Sequence, residues 1–238
     1  GKLPLAVAYA RFLNCENRGA NDSCGQCPSC HKFDKLTHPD LHFVFPVVKS
    51  KTSDDYLPQW REFLLAHPYF DLNQWLGFIH AENAQGVIYS KESDEIIRKL
   101  NLKVYEAPYK IMIVWLPEKM HEACANKLLK MIEEPPANTV FLLITEELDH
   151  VLTTIRSRCQ PLHIRRINSV EMTNVLQTQF GLTDNRAKSV AHIANGSFLK
   201  TLQIIQSQND DNYLFSLFKE MMRASVSRNI KAIKKVAG

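Results

Sequence analysis

The middle of this chain carries the pattern that most restricts its fold, a strand, a helix and a second strand in succession. Residues 111–115 form an unbroken apolar run bounded by Lys110 and Pro117, which is typical of a strand buried on both faces. Apolar residues then recur at helical spacing over 121–134, a proline pair stops the helix, and 140–144 is a second apolar run. Because parallel strands need helical crossovers, this order predicts an α/β fold with a parallel sheet flanked by helices.

The rest of the chain first extends this fold and then changes character. Residues 41–45, ended by Pro46, and 162–164 are typical of further strands, and helices are predicted over 5–13, 57–67 and 91–102, the last with Ser90 as its N-cap. After Asn168 the pattern is helical only, over 169–180, 185–194, 198–207 and 213–223. We therefore predict an α/β domain over 1–167, a small all-helical lid domain over 168–207, and the start of a further helical region over 208–238.

Four cysteines, spaced Cys-x8-Cys-x2-Cys-x2-Cys, interrupt the α/β pattern after its first helix; they are Cys15, Cys24, Cys27 and Cys30. Thiolates at this spacing suit a tetrahedral zinc ion, and the alternative is a pair of disulfides. The sequence has no signal peptide and no transmembrane run, and its 45% apolar composition is ample for an ordinary core, so zinc is favoured. Four sulfurs leave no position for water, which predicts a structural zinc module over about 14–35.

Other residues carry less information. His31 follows Cys30 and is an alternative zinc ligand, but a solvated loop histidine is the simpler interpretation. Cys124 and Cys159 stand apart from the cluster and are expected to be reduced and partly buried, with no chemistry. A net charge of +4 over 238 residues permits nucleic-acid binding without demanding it.

Three stretches together carry a family resemblance. They are Leu-Leu-Lys-Met-Ile-Glu-Glu-Pro-Pro at 128–136, Phe-Leu-Leu-Ile-Thr at 141–145 and Ile-Arg-Ser-Arg-Cys at 155–159. In this order, and with the cysteine module after the first helix, they resemble the AAA+ subunits of bacterial clamp loaders over roughly residues 2–207. The resemblance implies an AAA+ sheet, a helical lid, and a truncated collar region over 208–238.

The chain departs from the active members of that family at each set of nucleotide-handling residues. A P-loop ends in Gly-Lys-Ser/Thr, whereas this chain opens Gly1-Lys2-Leu3, a degenerate remnant without the magnesium-binding hydroxyl. Trp115 and Leu116 occupy the positions of the family's Asp-Glu pair.

Two further positions belong to the same comparison. The lid has Gly-Ser-Phe-Leu at 196–199 where the family has Gly-Ser-x-Arg. Glu118, two residues beyond the missing acidic pair, is expected to be a surface carboxylate. The resemblance therefore implies that this chain does not hydrolyse ATP by itself.

Arg158, in contrast, is retained. In clamp loaders the arginine of the Ser-Arg-Cys motif acts as an arginine finger toward the nucleotide of the neighbouring subunit. The resemblance thus implies a non-catalytic subunit of the DNA polymerase III clamp loader, which helps to place the sliding clamp on primed DNA. Implied partners are the gamma or tau ATPase subunits and the delta subunit, with the sliding clamp contacted indirectly and primer-template DNA nearby. We expect a cytoplasmic location and no membrane association.

Two alternatives remain at this point. An ATP-hydrolysing gamma- or tau-type subunit would need the hydroxyl and carboxylates that are absent at Leu3, Trp115 and Leu116. A zinc-containing DNA-binding module would need basic and aromatic side chains clustered about the cysteines. The nearby candidates for that role are Arg11, Arg18, Lys32, Lys35, Phe12 and Phe33.

Overall fold

The structure is a computed structural model, and it describes residues 1–49 and 51–206 together with Phe218, Lys219 and Met222. The chain divides into two compact units, Gly1–Ile164 and a second that begins at Arg165.

A parallel sheet forms the centre of the first unit, as the sequence predicts. Its strands are β1 (Leu41–Val44), β2 (Lys110–Trp115) and β3 (Thr139–Ile144), in the order β1-β2-β3. Every residue of β2 is buried, because this strand has a neighbour on each side and helices on both faces. On β3 only the last residue is fully buried.

Seven helices accompany the sheet in the part of the first unit that the structure describes, aside from short 3₁₀ turns. They are α1 (Lys2–Leu13), α2 (Pro28–Asp34), α3 (Leu57–Ala66), α4 (Leu72–Phe78), α5 (Ser90–Asn101), α6 (Glu122–Glu133) and α7 (Thr153–Arg156). Successive side chains of β2 point to opposite faces, so Ile113 joins a core with α1 to α4, whereas Met112 joins a core with α5 to α7. The sheet is therefore covered on both faces.

The predicted strand over 162–164 is wrong. These residues make no ladder with the described strands, and Leu162 is 83% exposed. Alternating apolar residues indicate only that a segment suits a strand, and a strand also needs a partner to satisfy its backbone groups.

Ser90 is not the N-cap of its helix, because α5 begins at Ser90 itself and Tyr89 is the capping residue. A parallel bridge between Ile88 and Met120 keeps the preceding chain extended as far as Tyr89, which lets the helix start one residue earlier. The short helices α2, α4 and α7 were not predicted. For α4 a signal was present, since Asp71 and Gln74 form a capping box.

The second unit contains α8 (Ser169–Phe180), α9 (Asp184–Ala194) and a further helical stretch over 198–206. Met172 and Leu176 of α8 pack against Ala187, Val190 and Ala191 of α9 to form its core. The predicted helix over 213–223 and the region over 208–238 fall largely outside the described residues. Among the described residues, no helix combines the length and apolar character needed to span a membrane.

Candidate functional site

Arg158 lies in the turn that follows α7. Ile155 anchors that helix, because its side chain is fully buried in the core that the sheet forms with α5 to α7. The Arg158 backbone N–H donates to the Ile155 carbonyl over 3.0 Å. The Arg158 side chain is 32% exposed. A buried anchor three residues away therefore holds an accessible guanidinium at the surface of the first unit.

The Arg158 side chain has two partners within that unit. Its Nε donates to Glu133 Oε2 over 2.8 Å, and its Nη1 donates to the Thr154 carbonyl over 3.0 Å. Glu133 is the last residue of α6, so the contact joins α6 to the turn that follows α7, and these two helices pack together. Since a guanidinium has five N–H groups, most of its donors stay available.

Arg156, the other arginine of the same motif, has a different setting. Its Nη1 donates to Asp149 over 3.2 Å, and the Asp149 side chain is almost fully exposed. Arg156 and Arg158 thus differ in partner although they are two residues apart.

The three positions at which the family resemblance predicts missing magnesium-handling residues carry apolar side chains. Leu3, Trp115 and Leu116 are all buried and belong to one hydrophobic core. Trp115 lies against Trp60 and Phe70, with ring centroids 5.3 Å and 5.0 Å apart. No magnesium ligand can come from these three side chains. Of the two residues that the sequence analysis interprets as a degenerate P-loop remnant, Gly1 precedes α1, and Lys2 is exposed in its first turn.

Glu118 is more than the surface carboxylate that the sequence predicts. Leu116 has a left-handed backbone (φ 57°), and the 3₁₀ turn Pro117–Lys119 brings Glu118 to the end of β3. There Glu118 Oε1 accepts the Glu146 backbone N–H over 3.0 Å, while Oε2 is buried without a hydrogen-bond partner in the described structure. Glu118 is partly exposed, as expected, but the burial of one carboxylate oxygen was not predicted, because the sequence does not mark the left-handed conformation of Leu116.

The Gly196-Ser197 pair has a local structural explanation. Gly196 has a φ of 75°, and a Cβ at that position would lie 2.7 Å from the Ile167 carbonyl oxygen, so a side chain is not tolerated. The Ser197 hydroxyl accepts the Lys200 backbone N–H over 3.3 Å, as a cap of the 198–206 helical stretch does. Gly196 and Ser197 therefore both have a structural role in the second unit, as a turn residue and as a helix cap.

The four cysteines predicted as zinc ligands come together. The four Sγ atoms of Cys15, Cys24, Cys27 and Cys30 all lie within 4.8 Å of one another, and all four thiols are free. A zinc ion about 2.3 Å from each sulfur needs sulfurs about 3.8 Å apart. The Cys24 and Cys30 sulfurs are 3.9 Å apart, which fits such a site. His31 is exposed and does not belong to this group.

Backbone N–H groups point at these sulfurs. Cys24 Sγ accepts from the N–H groups of Gln26 and Cys27 over 3.4 Å and 3.3 Å, and these bonds lower the pKa of the Cys24 thiol to about 6. Burial, in contrast, raises the pKa of Cys30 to about 12. N–H donors aimed at sulfur favour the thiolate, which is the form that binds metal. The geometry and chemistry of the cluster therefore fit a structural zinc ion.

Buried polar contacts that the sequence did not reveal fix the cysteine segment to the sheet. The Asn14 side chain is 1% exposed and pairs with the Tyr109 backbone, donating to its carbonyl over 2.8 Å and accepting its N–H over 3.1 Å. The Ser29 hydroxyl donates to the Asn14 carbonyl over 2.7 Å. Tyr109 directly precedes β2, so the cysteine segment is tied to the entry of the central strand.

Comparison with known proteins places most of the chain in one group. The model of a family described as DNA polymerase III, delta subunit, matches residues 1–168. DNA polymerase III subunit delta' of Yersinia pestis is 32% identical over 163 residues, which cover 67% of this chain and 36% of that protein. The Escherichia coli (strain K12) delta' subunit is 24% identical over 205 residues, 86% of this chain and 51% of the relative.

A relative with a different name matches a similar span. DNA polymerase III subunit gamma of a Buchnera aphidicola strain is 24% identical over 211 residues, which cover 87% of this chain and 48% of the relative. The chain therefore spans about a third to a half of the length of these curated relatives.

Proposed function

The chain belongs to the DNA polymerase III delta-subunit family, and we propose that it acts there as a non-catalytic delta' subunit of the clamp loader. In this role it completes the ATP site of a neighbouring gamma or tau subunit with Arg158. Its further partners are the delta subunit and, less directly, the sliding clamp and primer-template DNA. The zinc ion has a structural role, and the second unit is the helical lid.

The observation that carries the proposal is the contrast between Arg158 and the positions of the missing ATPase residues. Leu3, Trp115 and Leu116 are buried in an apolar core, so these three side chains offer no group to hold magnesium or to activate water. Arg158 keeps an accessible guanidinium on a well-anchored turn. A subunit that does not hydrolyse ATP itself but presents such an arginine is suited to supply that arginine to the ATP site of a neighbouring subunit.

The buried apolar residues also weigh against an ATP-hydrolysing gamma-type role, although a gamma subunit is among the relatives. Restoring that role would require a hydroxyl and two carboxylates inside a hydrophobic core, and buried charges without partners are strongly disfavoured.

A DNA-binding role for the cysteine module is disfavoured by the partners of its basic residues. Arg11 donates to Asp34 over 2.7 Å, and Lys32 donates to both Glu106 carboxylate oxygens over 2.6 Å. Arg18 lies over the Phe12 ring, and Phe33 is buried. Two of the four basic side chains are therefore already paired with carboxylates.

The proposal is tested by Arg158→Ala in the full-length protein, reconstituted into the complete clamp loader. We expect slower DNA-stimulated ATP hydrolysis and slower clamp loading, with normal folding and zinc content. The loss is partial, since a loader with several ATP sites loses only the share of one interface. Arg156→Ala is the matched control, because it removes a nearby exposed arginine that pairs with Asp149 instead. Unchanged rates with Arg158→Ala, in a loader shown to contain the variant, would rule out this role.

A further inference from the structure

We infer that Glu133 is a positioning residue for Arg158: its carboxylate fixes the guanidinium so that the remaining N–H groups face outward. This inference rests on the proposed function of Arg158 and adds a second residue to it. It starts from the 2.8 Å contact between Arg158 Nε and Glu133 Oε2.

The two contacts of Arg158 restrain the plane of its guanidinium. Glu133 takes the Nε–H, and the Thr154 carbonyl takes one N–H of Nη1 at 3.0 Å. An acceptor on each side of the planar group prevents free rotation about the last side-chain bonds. Both N–H groups of Nη2 and one of Nη1 are left, and two such groups can bridge two oxygens of a phosphate.

Both acceptors are attached to rigid supports. Glu133 follows Ile132, whose side chain is buried in the same core as Leu128 of α6 and Ile155 of α7. Thr154 belongs to α7 itself and lies directly before Ile155. The guanidinium is therefore held between two packed helices, although the residue itself lies at the surface. An arginine restrained in advance loses less conformational freedom when a ligand arrives.

The negative charge of Glu133 opposes the benefit of orienting Arg158, because a carboxylate repels the phosphate that Arg158 would bind. Its side chain is 56% exposed, so water and salt weaken that repulsion. The hydrogen bond, in contrast, works at contact distance and is direction-dependent. We therefore expect orientation to outweigh repulsion, and Glu133→Gln separates the two effects because glutamine keeps an acceptor oxygen and loses the charge.

The experiment is a double-mutant cycle in the complete loader with the full-length chain: wild type, Glu133→Ala, Arg158→Ala and the double variant. With the other ATP sites of the loader inactivated, Glu133→Ala is expected to lower the maximal DNA-stimulated ATPase rate of the site that adjoins this chain by about two- to fivefold, the range for an exposed ion pair, with little change in KM for ATP. In the Arg158→Ala background the same change is expected to have no effect. Glu133→Gln is expected to restore most of the rate.

Glu134→Ala is the matched control, since Glu134 is the adjacent exposed glutamate and Arg158 does not bond to it. The inference is overturned if Glu133→Ala leaves the rate unchanged or raises it, or if it lowers the rate equally in the Arg158→Ala background. In both cases a slow Arg158→Ala variant would leave the proposed function intact. If Arg158→Ala itself has no effect, the proposed function fails first, and this inference with it.

Discussion

Asp40, which directly precedes β1, and His42, within that strand, show how single polar side chains are tolerated inside this fold. Asp40 is 1% exposed, and its carboxylate accepts backbone N–H groups from Tyr105, Glu106 and Ala107 over 2.7 to 3.1 Å. These bonds compensate the carboxylate for lost water and shape the loop before β2. His42, two residues later, has no comparable set of donors.

His42 makes the stability of the protein depend on pH. Burial, reinforced by Lys99 and Lys110 and opposed by Asp40 and Asp54, lowers the pKa of His42 to about 4. The unfolded chain binds a proton at this side chain near pH 6.5, whereas the folded chain does so only near pH 4. The contribution of His42 to stability is therefore fully retained above about pH 6.5 and is lost as the pH drops toward 4, by up to about 3 kcal/mol.

We expect His42→Leu to flatten this dependence, because leucine does not titrate. His163→Gln, at an exposed position, is the control and is expected to leave it unchanged. The measurement is the free energy of unfolding by urea at several values of pH from 4 to 7.5. An equally steep decline in His42→Leu and wild type would show that other groups cause it.

At the scale of single elements, the sequence predicts those with a strong pattern and misses those that depend on distant partners. β2 and α6 were predicted to within a residue or so, since long apolar periodicity leaves few alternatives. The stretch over 162–164 has a similar pattern but forms no strand, because strand formation depends on a partner ladder. The sequence motif at 128–136 contains both Glu133 and Glu134. Which of the two glutamates bonds to Arg158 depends on where α6 ends, and the motif alone does not determine this.

The same distinction applies to the cysteine segment. Its four ligands could be predicted, because Cys-x2-Cys spacing constrains sulfur positions locally. The contacts of Asn14 with Tyr109 could not, since they join residues 95 positions apart. No local signal marks an asparagine that will be buried.

The cysteine segment is expected to bind one zinc ion per chain, held by Cys15, Cys24, Cys27 and Cys30. Cys27→Ser is expected to lower the zinc content strongly and to loosen the segment, because metal binding contributes directly to the folding of such sites. Cys159→Ser is the control, as Cys159 lies outside the cluster. Metal analysis of protein purified without chelator measures this. A zinc content near zero in the wild type, with the four thiols reduced, would contradict the assignment.

At the scale of the whole molecule, we propose that an apolar core replaces the groups with which ATP-hydrolysing relatives hold magnesium. Phosphoryl transfer depends mainly on positioned charges, and the three relevant side chains of this chain lie in that core. The guanidinium of Arg158 is held at the surface instead. We therefore propose that the chain has no working ATP site of its own and contributes Arg158 to the ATP site of its neighbour.

The most direct test isolates that one site. Substitutions in the ATPase subunits of the reconstituted loader inactivate every ATP site except the one that adjoins this chain. Single-turnover ATP hydrolysis is then measured in the presence of primed DNA and the sliding clamp. We expect hydrolysis with the wild-type chain and a loss of about 10³-fold or more with Arg158→Ala, as for a sole arginine finger. Hydrolysis at the same rate with both chains would show that Arg158 does not act in the neighbour's site.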